Sequence, residues 1–388
     1  MECARILILT ASIGAGHARA AEAIHAALYR LSMDQHTAMQ ISTVDFMARD
    51  VSFIHYLMKR IYLIMLRFVP NLYDVFFRLA GRAGSGGMIR GAFSHVMVRT
   101  MGRIVRDYRP DLIIATHPFP EGAAALWRRK HGGTFRLSAL LTDYSLHQIW
   151  LSRGVDAYFV ATEQMKEQMA AFGFNCERVY ATGIPITLPA SCTMSRDAAR
   201  RRIGLPEHLP TLLLMGGGLG LGGIEQTLAA LETIHTRLAI LVVAGYNAAL
   251  LEAAQYMSET SHHSIRVWGY TTEVDVLMYA SDILITKPGA LTISEAFAAG
   301  LPLLLHDPIP GPETENAVYA TRCGAAIWLH PGEKLAPAVE EILAHRLARM
   351  RIAARSCAKV DAAERIAEIL AAQIAGKRGD ANVTAETL

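Results

Sequence analysis

The sequence predicts an α/β protein of two doubly wound, Rossmann-like domains facing a central cleft. Three observations carry this expectation. Short β-rich apolar runs alternate with longer amphipathic stretches, in two successive series. The runs are apolar throughout, as strands of a parallel sheet covered on both faces must be. Between the series lies GIPITLPASCTM, Gly183 to Met194, with two prolines and little periodicity.

The first series reads RILIL (5–9), ISTVDF (41–46), DLIIAT (111–116), FRLSALL (135–141) and DAYFVA (156–161). The second reads TLLLM (211–215), AILVVA (239–244), IRVWG (265–269), DILIT (282–286), LPLLL (301–305) and AAIWL (325–329), again with helices between. A first domain is therefore expected over 1–187 and a second over 188–376, its last helix free to pack back on the first domain. Residues 377–388 read as a polar tail.

A chain of 388 residues affords two cores of this size. With 52% hydrophobic and 19% charged residues, wholesale disorder is excluded. The mean hydropathy of +0.24 leaves room for contact with lipid. Five scattered cysteines without a CxxC spacing indicate neither a disulfide framework nor a zinc cluster, and a reducing cytoplasm fits. The opening apolar run is too short for a signal peptide, and the stretch Phe53 to Val69 is interrupted by Lys59, Arg60 and Arg67. No transmembrane segment is expected.

The formal charge of +3 conceals an asymmetry. Between Phe53 and Arg109 ten basic residues stand against Asp74 and Asp107, a local +8, so the remainder sums to −5. Aromatic and aliphatic residues are interleaved with those charges. Lys59, Arg60, Arg67 and Phe68 are therefore expected to face an anionic membrane surface, where acyl-chain burial and headgroup attraction act together. The alternative is a buried helical hairpin with a solvated basic rim. No nucleic-acid motif accompanies the charge.

Chemistry is expected where glycines meet helix starts. After the first strand comes Ser12-Ile13-Gly14-Ala15-Gly16-His17 and an alanine-rich helical stretch. Gly14 and Gly16 match a dinucleotide fingerprint, but Arg19 stands where its third glycine belongs. His17 carries the side chain best suited to accept a proton near neutral pH. Gly216 to Gly223 could cradle a phosphate with backbone amides, yet no Lys-Ser/Thr follows, so a nucleoside-triphosphatase P-loop is excluded. In the run from Thr286 to Ala296, Thr292 and Glu295 have the spacing of a capping box, with Glu295 on the first helical turn. That carboxylate could equally accept two ribose hydroxyls. Glu315 and Asn316, after a proline-stiffened loop, could bond sugar hydroxyls or simply begin a helix.

Taken together the motifs resemble the nucleotide-sugar glycosyltransferases of family 28, within it the monogalactosyldiacylglycerol synthases and processive diacylglycerol glucosyltransferases. The resemblance rests on SIGAGH (12–17), THPF (116–119), TDYSLHQIW (142–150), GIPI (183–186), MGGGLG (215–220), VAGYN (243–247), KPGALTISEAFAAGLP (287–302) and PGPETEN ending at Asn316. It implies the GT-B fold, with acceptor held by the first domain and donor by the second. It further implies that His17 is the general base, supported by Asp143, and that Gly14, Gly16, His117, His147 and Trp150 lie on the acceptor side. Donor contacts are implied at Gly217, Gly218, Gly245, Asn247, Tyr270, Lys287, Gly289, Thr292, Glu295, Glu315 and Asn316. The family usually reads PGQE where this chain has Pro312 after Gly311, so that glutamine's contact is missing.

The implied reaction is inverting transfer of glucose or galactose from a UDP-sugar to diacylglycerol, giving a β-glycolipid on the inner face of the cell membrane. No Asp-x-Asp occurs, so no metal and no other cofactor is expected. A transferase moving N-acetylglucosamine to a lipid-linked peptidoglycan precursor, a nucleotide-sugar epimerase and a UDP-sugar-binding module remain alternatives. A dehydrogenase is the most distant of them.

Overall fold

The structure, a computed structural model, describes residues 3–11, 15–47, 85–187, 194–206, 208–216, 223–309 and 311–385, without the side chains of 85–90, 92–93 and 376–385. The chain forms two compact units, Met1–Thr187 with Lys359–Leu388, and Leu188–Ala358.

The first unit runs β1 (Ala4–Thr10), α1 (Ala15–Asp34), β2 (Met39–Asp45), α2 (Ser85–Tyr108), β3 (Leu112–Ala115), α3 (Pro118–His131), β4 (Arg136–Leu140), β5 (Ala157–Val160), α4 (Glu163–Ala171) and β6 (Val179–Ala181). Its strands are all parallel, in the order β2-β1-β3-β4-β5-β6. The apolar runs of β1, β3 and β5 are buried nearly end to end because helices cover both faces. β6 has no counterpart among the expected strands. Three residues at a sheet edge, only Val179 of them buried, leave too short a pattern to read.

In the second unit follow α5 (Arg196–Arg202), β7 (Thr211–Met215), α6 (Ile224–Leu231), β8 (Ala239–Val243), α7 (Ala248–Thr260), β9 (Ser264–Trp268) and α8 (Val274–Ala280). Then come β10 (Ile283–Thr286), α9 (Ala290–Ala298), β11 (Leu303–Leu305), α10 (Pro312–Arg322), β12 (Ala326–Trp328), α11 (Leu335–Glu341) and α12 (Leu347–Cys357). The parallel order β12-β11-β10-β7-β8-β9 is the Rossmann arrangement. Leu212, Leu214, Ile240, Val242, Ile283 and Ile285 form the sheet's part of one core, with Leu228 and Leu231 of α6 packed on it.

The last helix, α13 (Ala362–Ala385), belongs to the first unit, so the second ends at Ala358. It packs on α1, with Ile366 and Leu370 fully buried. It also continues through most of the segment 377–388 read as a tail, since isolated glycines without proline weaken a helix by only about 1 kcal/mol each.

In the described part of the basic segment, α2 buries Met97, Met101 and Ile104 and packs on α3. Arg99, Arg103 and Arg106 are exposed on its other side, a solvated basic rim. Lys59, Arg60, Arg67 and Phe68 lie outside the described residues. Among the described residues no helix is long and apolar enough to cross a membrane.

Candidate active site

In each open parallel sheet, a crevice forms at the carboxyl ends of the two strands where the order reverses. In the first unit those strands are β1 and β3. β1 precedes α1, whose first turn carries His17, and β3 leads into Thr116 and His117. The topology therefore joins residues a hundred positions apart. His17 Nδ1 lies 2.8 Å from the Thr116 carbonyl oxygen and 2.8 Å from Thr142 Oγ1. A carbonyl only accepts, so Nδ1 carries the ring proton and Nε2 of the neutral ring keeps its lone pair. The Thr116 hydroxyl donates to the His17 carbonyl at 3.1 Å and fixes the helix start to β3.

Burial lowers the His17 pKa below the usual 6.5, while the Asp143 charge and the Thr116 carbonyl pull it back up. The ring is half-buried and neutral near pH 7. His117 packs edge-on against it at 4.7 Å between centroids. Burial and the neighbouring His17 hold His117 well below its ordinary value. Gly16, one residue before His17, has nothing among the described residues within 4 Å of where a Cβ would stand.

The second unit reverses its order between β7 and β10. The Thr286 hydroxyl donates to the Met215 carbonyl at 2.7 Å, tying the two strand ends together. Beyond them stand Gly216 and, across from it, the Lys287–Gly289 loop that opens α9. The N-cap of α9 is Gly289, which supplies no side-chain cap to the first-turn amides. This corrects the capping-box expectation. Thr292 sits in the first turn, and Glu295 falls on the second turn, too far along to cap the helix. Gly289 has φ −68° and room for a Cβ, so neither backbone nor packing demands glycine there.

α10 begins beside this loop. Gly311 at φ +100° requires glycine, and Pro312 occupies the first helical position, where its missing N–H costs nothing. Asn316, 1% exposed, donates from its amide to the Pro288 carbonyl at 3.2 Å. Glu315 is exposed on the same helix.

The sequence model of the monogalactosyldiacylglycerol (MGDG) synthase family matches residues 17–186, and that of the glycosyltransferase family 28 C-terminal domain matches 211–369. A processive diacylglycerol beta-glucosyltransferase of Bacillus subtilis (strain 168) is 30% identical over 88% of this chain and 87% of its own. The chain belongs to glycosyltransferase family 28. A second relative of the same name, from Bacillus cytotoxicus, is 28% identical over 94% of this chain and 93% of its own. Among solved structures, Acinetobacter baumannii MurG aligns with a TM-score of 0.60 at 18% identity, covering 94% of this chain and 99% of that one. The fold is GT-B.

As a family 28 glycosyltransferase, the chain brings together His17, Thr116, His117 and Thr142 in one unit, and Lys287, Gly289, Thr292 and Asn316 in the other. Several expected contact residues have structural partners within the fold. Asn247 N-caps α7, accepting from the Leu250 N–H at 3.1 Å, and His147 accepts from the Ile149 N–H at 3.3 Å. Trp150 is only 4% exposed, so its indole belongs to the core and not to an acceptor surface. Gly245, at φ +62°, turns the chain after β8. Asn316 positions the Pro288 loop and does not reach outward. Gly14, Gly217 and Gly218 lie outside the described residues.

Two contributions escape a reading of single motifs. Thr116 and Thr142 orient the His17 ring, and only their occurrence in motifs next to His117 and Asp143 hinted at it. Tyr246, inside the VAGYN run, stacks on Tyr270 at 4.5 Å between centroids, though both are more than half exposed. Such an aromatic pair at the carboxyl ends of β8 and β9 offers a flat face to a planar ligand.

Proposed function

We propose that this glycosyltransferase moves glucose or galactose from a UDP-sugar to the hydroxyl of diacylglycerol with inversion, making a β-glycolipid at the inner face of the cell membrane. The observation that carries the reading is His17, whose Nδ1 proton is spent on the Thr116 carbonyl and the Thr142 hydroxyl. Nε2 then takes the acceptor proton while the acceptor oxygen bonds to the anomeric carbon and the bond to UDP breaks on the opposite face. Asp143 stabilises the imidazolium that forms. The uncapped amino end of α9 would receive the departing diphosphate, its amides and helix dipole opposing the growing charge. Glu295 is proposed to hold the ribose and Glu315 the hexose.

The diacylglycerol acceptor is supported by the names of the relatives. The proposed mechanism calls for no metal ion, so turnover in a chelator is expected to match turnover without one. The deciding experiment incubates purified protein with diacylglycerol vesicles and either UDP-glucose or UDP-galactose, then reads lipid masses. A hexose added from one donor supports the reading and names the sugar. No glycolipid from either donor, with UDP giving no heat on calorimetric titration, overturns it.

A further inference from the structure

At the amino edge of the second sheet, the edge away from the proposed donor site, one carboxylate stands among arginines. Asp282, 3% exposed, immediately precedes β10 and accepts from the Thr211 N–H at 2.8 Å. Arg196 of α5 reaches it at 2.5 Å, Arg351 of α12 at 2.7 Å, and Arg200 of α5 approaches to 3.9 Å. Arg200 already donates to Thr211 Oγ1 and to the carbonyls of Pro206, Leu209 and Ala280. Arg355, one helical turn beyond Arg351, is exposed and has no carboxylate partner among the described residues.

Three guanidinium groups thus share one carboxylate, and Arg355 adds a fourth positive charge on the same helix as Arg351. Burial, and after it the repulsion of Arg196, lowers the Arg351 pKa, with Asp282 opposing them. Arg196 and Arg351 keep about a third and a quarter of their side chains exposed, which leaves them reachable from solvent. Ile352 lies between Arg351 and Arg355 and is 68% exposed, an apolar side chain set among cations.

We propose that Arg196, Arg351 and Arg355 form an anion site for a phosphate group, either inorganic phosphate or the headgroup phosphate of an anionic lipid. Guanidinium forks match phosphate oxygens in geometry as well as charge. The site lies on the opposite edge of the sheet from the proposed donor site and is independent of the transfer reaction.

The test titrates the full-length chain with inorganic phosphate in the presence of excess UDP, and compares wild type with Arg351→Gln and Arg355→Gln. Arg355→Gln leaves every Asp282 contact in place and so reports on the site without disturbing the fold. Each variant is expected to bind phosphate at least about tenfold more weakly than wild type. A flotation arm uses phosphatidylcholine vesicles with and without phosphatidylglycerol. Loss of phosphatidylglycerol-dependent flotation in the variants identifies the headgroup as the source, while weakened phosphate binding with unchanged flotation identifies the free anion. Absence of phosphate and vesicle binding in the wild type, or equal behaviour of all three proteins in both arms, overturns the proposal.

Discussion

His17 shows how much chemistry two hydrogen bonds decide. With Nδ1 committed to the Thr116 carbonyl, Nε2 is the free base, and burial keeps the ring neutral. The acid limb of kcat/KM against pH is therefore expected to have its midpoint below 6.5. The Asp143 charge raises the His17 pKa, so Asp143→Asn should move that midpoint lower still; an upward move would contradict the assignment. Gly16 gives a complementary test. Alanine there meets nothing among the described residues and removes a glycine from a helix, so Gly16→Ala should raise stability by up to about 1 kcal/mol in thermal denaturation. If the open space serves the acceptor, the same variant raises the acceptor KM. Asn316 is the converse case, a polar residue used inward. Asn316→Ala strips the Pro288 carbonyl of a buried donor and should cost about 1–3 kcal/mol in urea denaturation, with the donor KM rising as the Lys287–Gly289 loop loosens.

Among the elements, α9 and α13 differ most from what local pattern suggests. The spacing of Thr292 and Glu295 imitates a cap, but Pro288 and Gly289 start the helix earlier, which releases Glu295 from any role in ending it. α13 returns to the first unit through a contact that glycine alone permits. At Gly183, φ is +96° and a Cβ would stand 2.5 Å from Lys359 Cβ. Gly183→Ala therefore combines backbone strain with a clash where the chain after β6 meets the start of α13, and should destabilise the first unit by more than about 1 kcal/mol. Limited proteolysis would then cut first near residues 359–362, and unchanged cleavage would show that the helix docks without this contact. The Arg30–Glu364 pair between α1 and α13 is half-exposed and adds at most about 1 kcal/mol beside the buried Ile366 and Leu370.

For the molecule as a whole, charge and topology divide the work. The local +8 between Phe53 and Arg109 predicts that vesicle binding to anionic lipid weakens as salt rises, measured by sedimentation. Binding that ignores salt would mean these residues serve the interior instead. Among the described residues eleven of the twelve strands were legible because an apolar run buried on both faces leaves a local mark, and so does the histidine at a helix start. Those marks, with the family motifs, were enough for the fold class and the reaction class. Tertiary structure alone decided that β1 pairs with β3 and β7 with β10, and hence which loops meet. It likewise decided the tautomer of His17, the inward turn of Asn316 and Trp150, and the return of α13. The reason is physical: burial and backbone preference are properties of neighbouring residues and can be read along the chain, whereas a hydrogen-bond partner a hundred residues away exists only once strand order has been set.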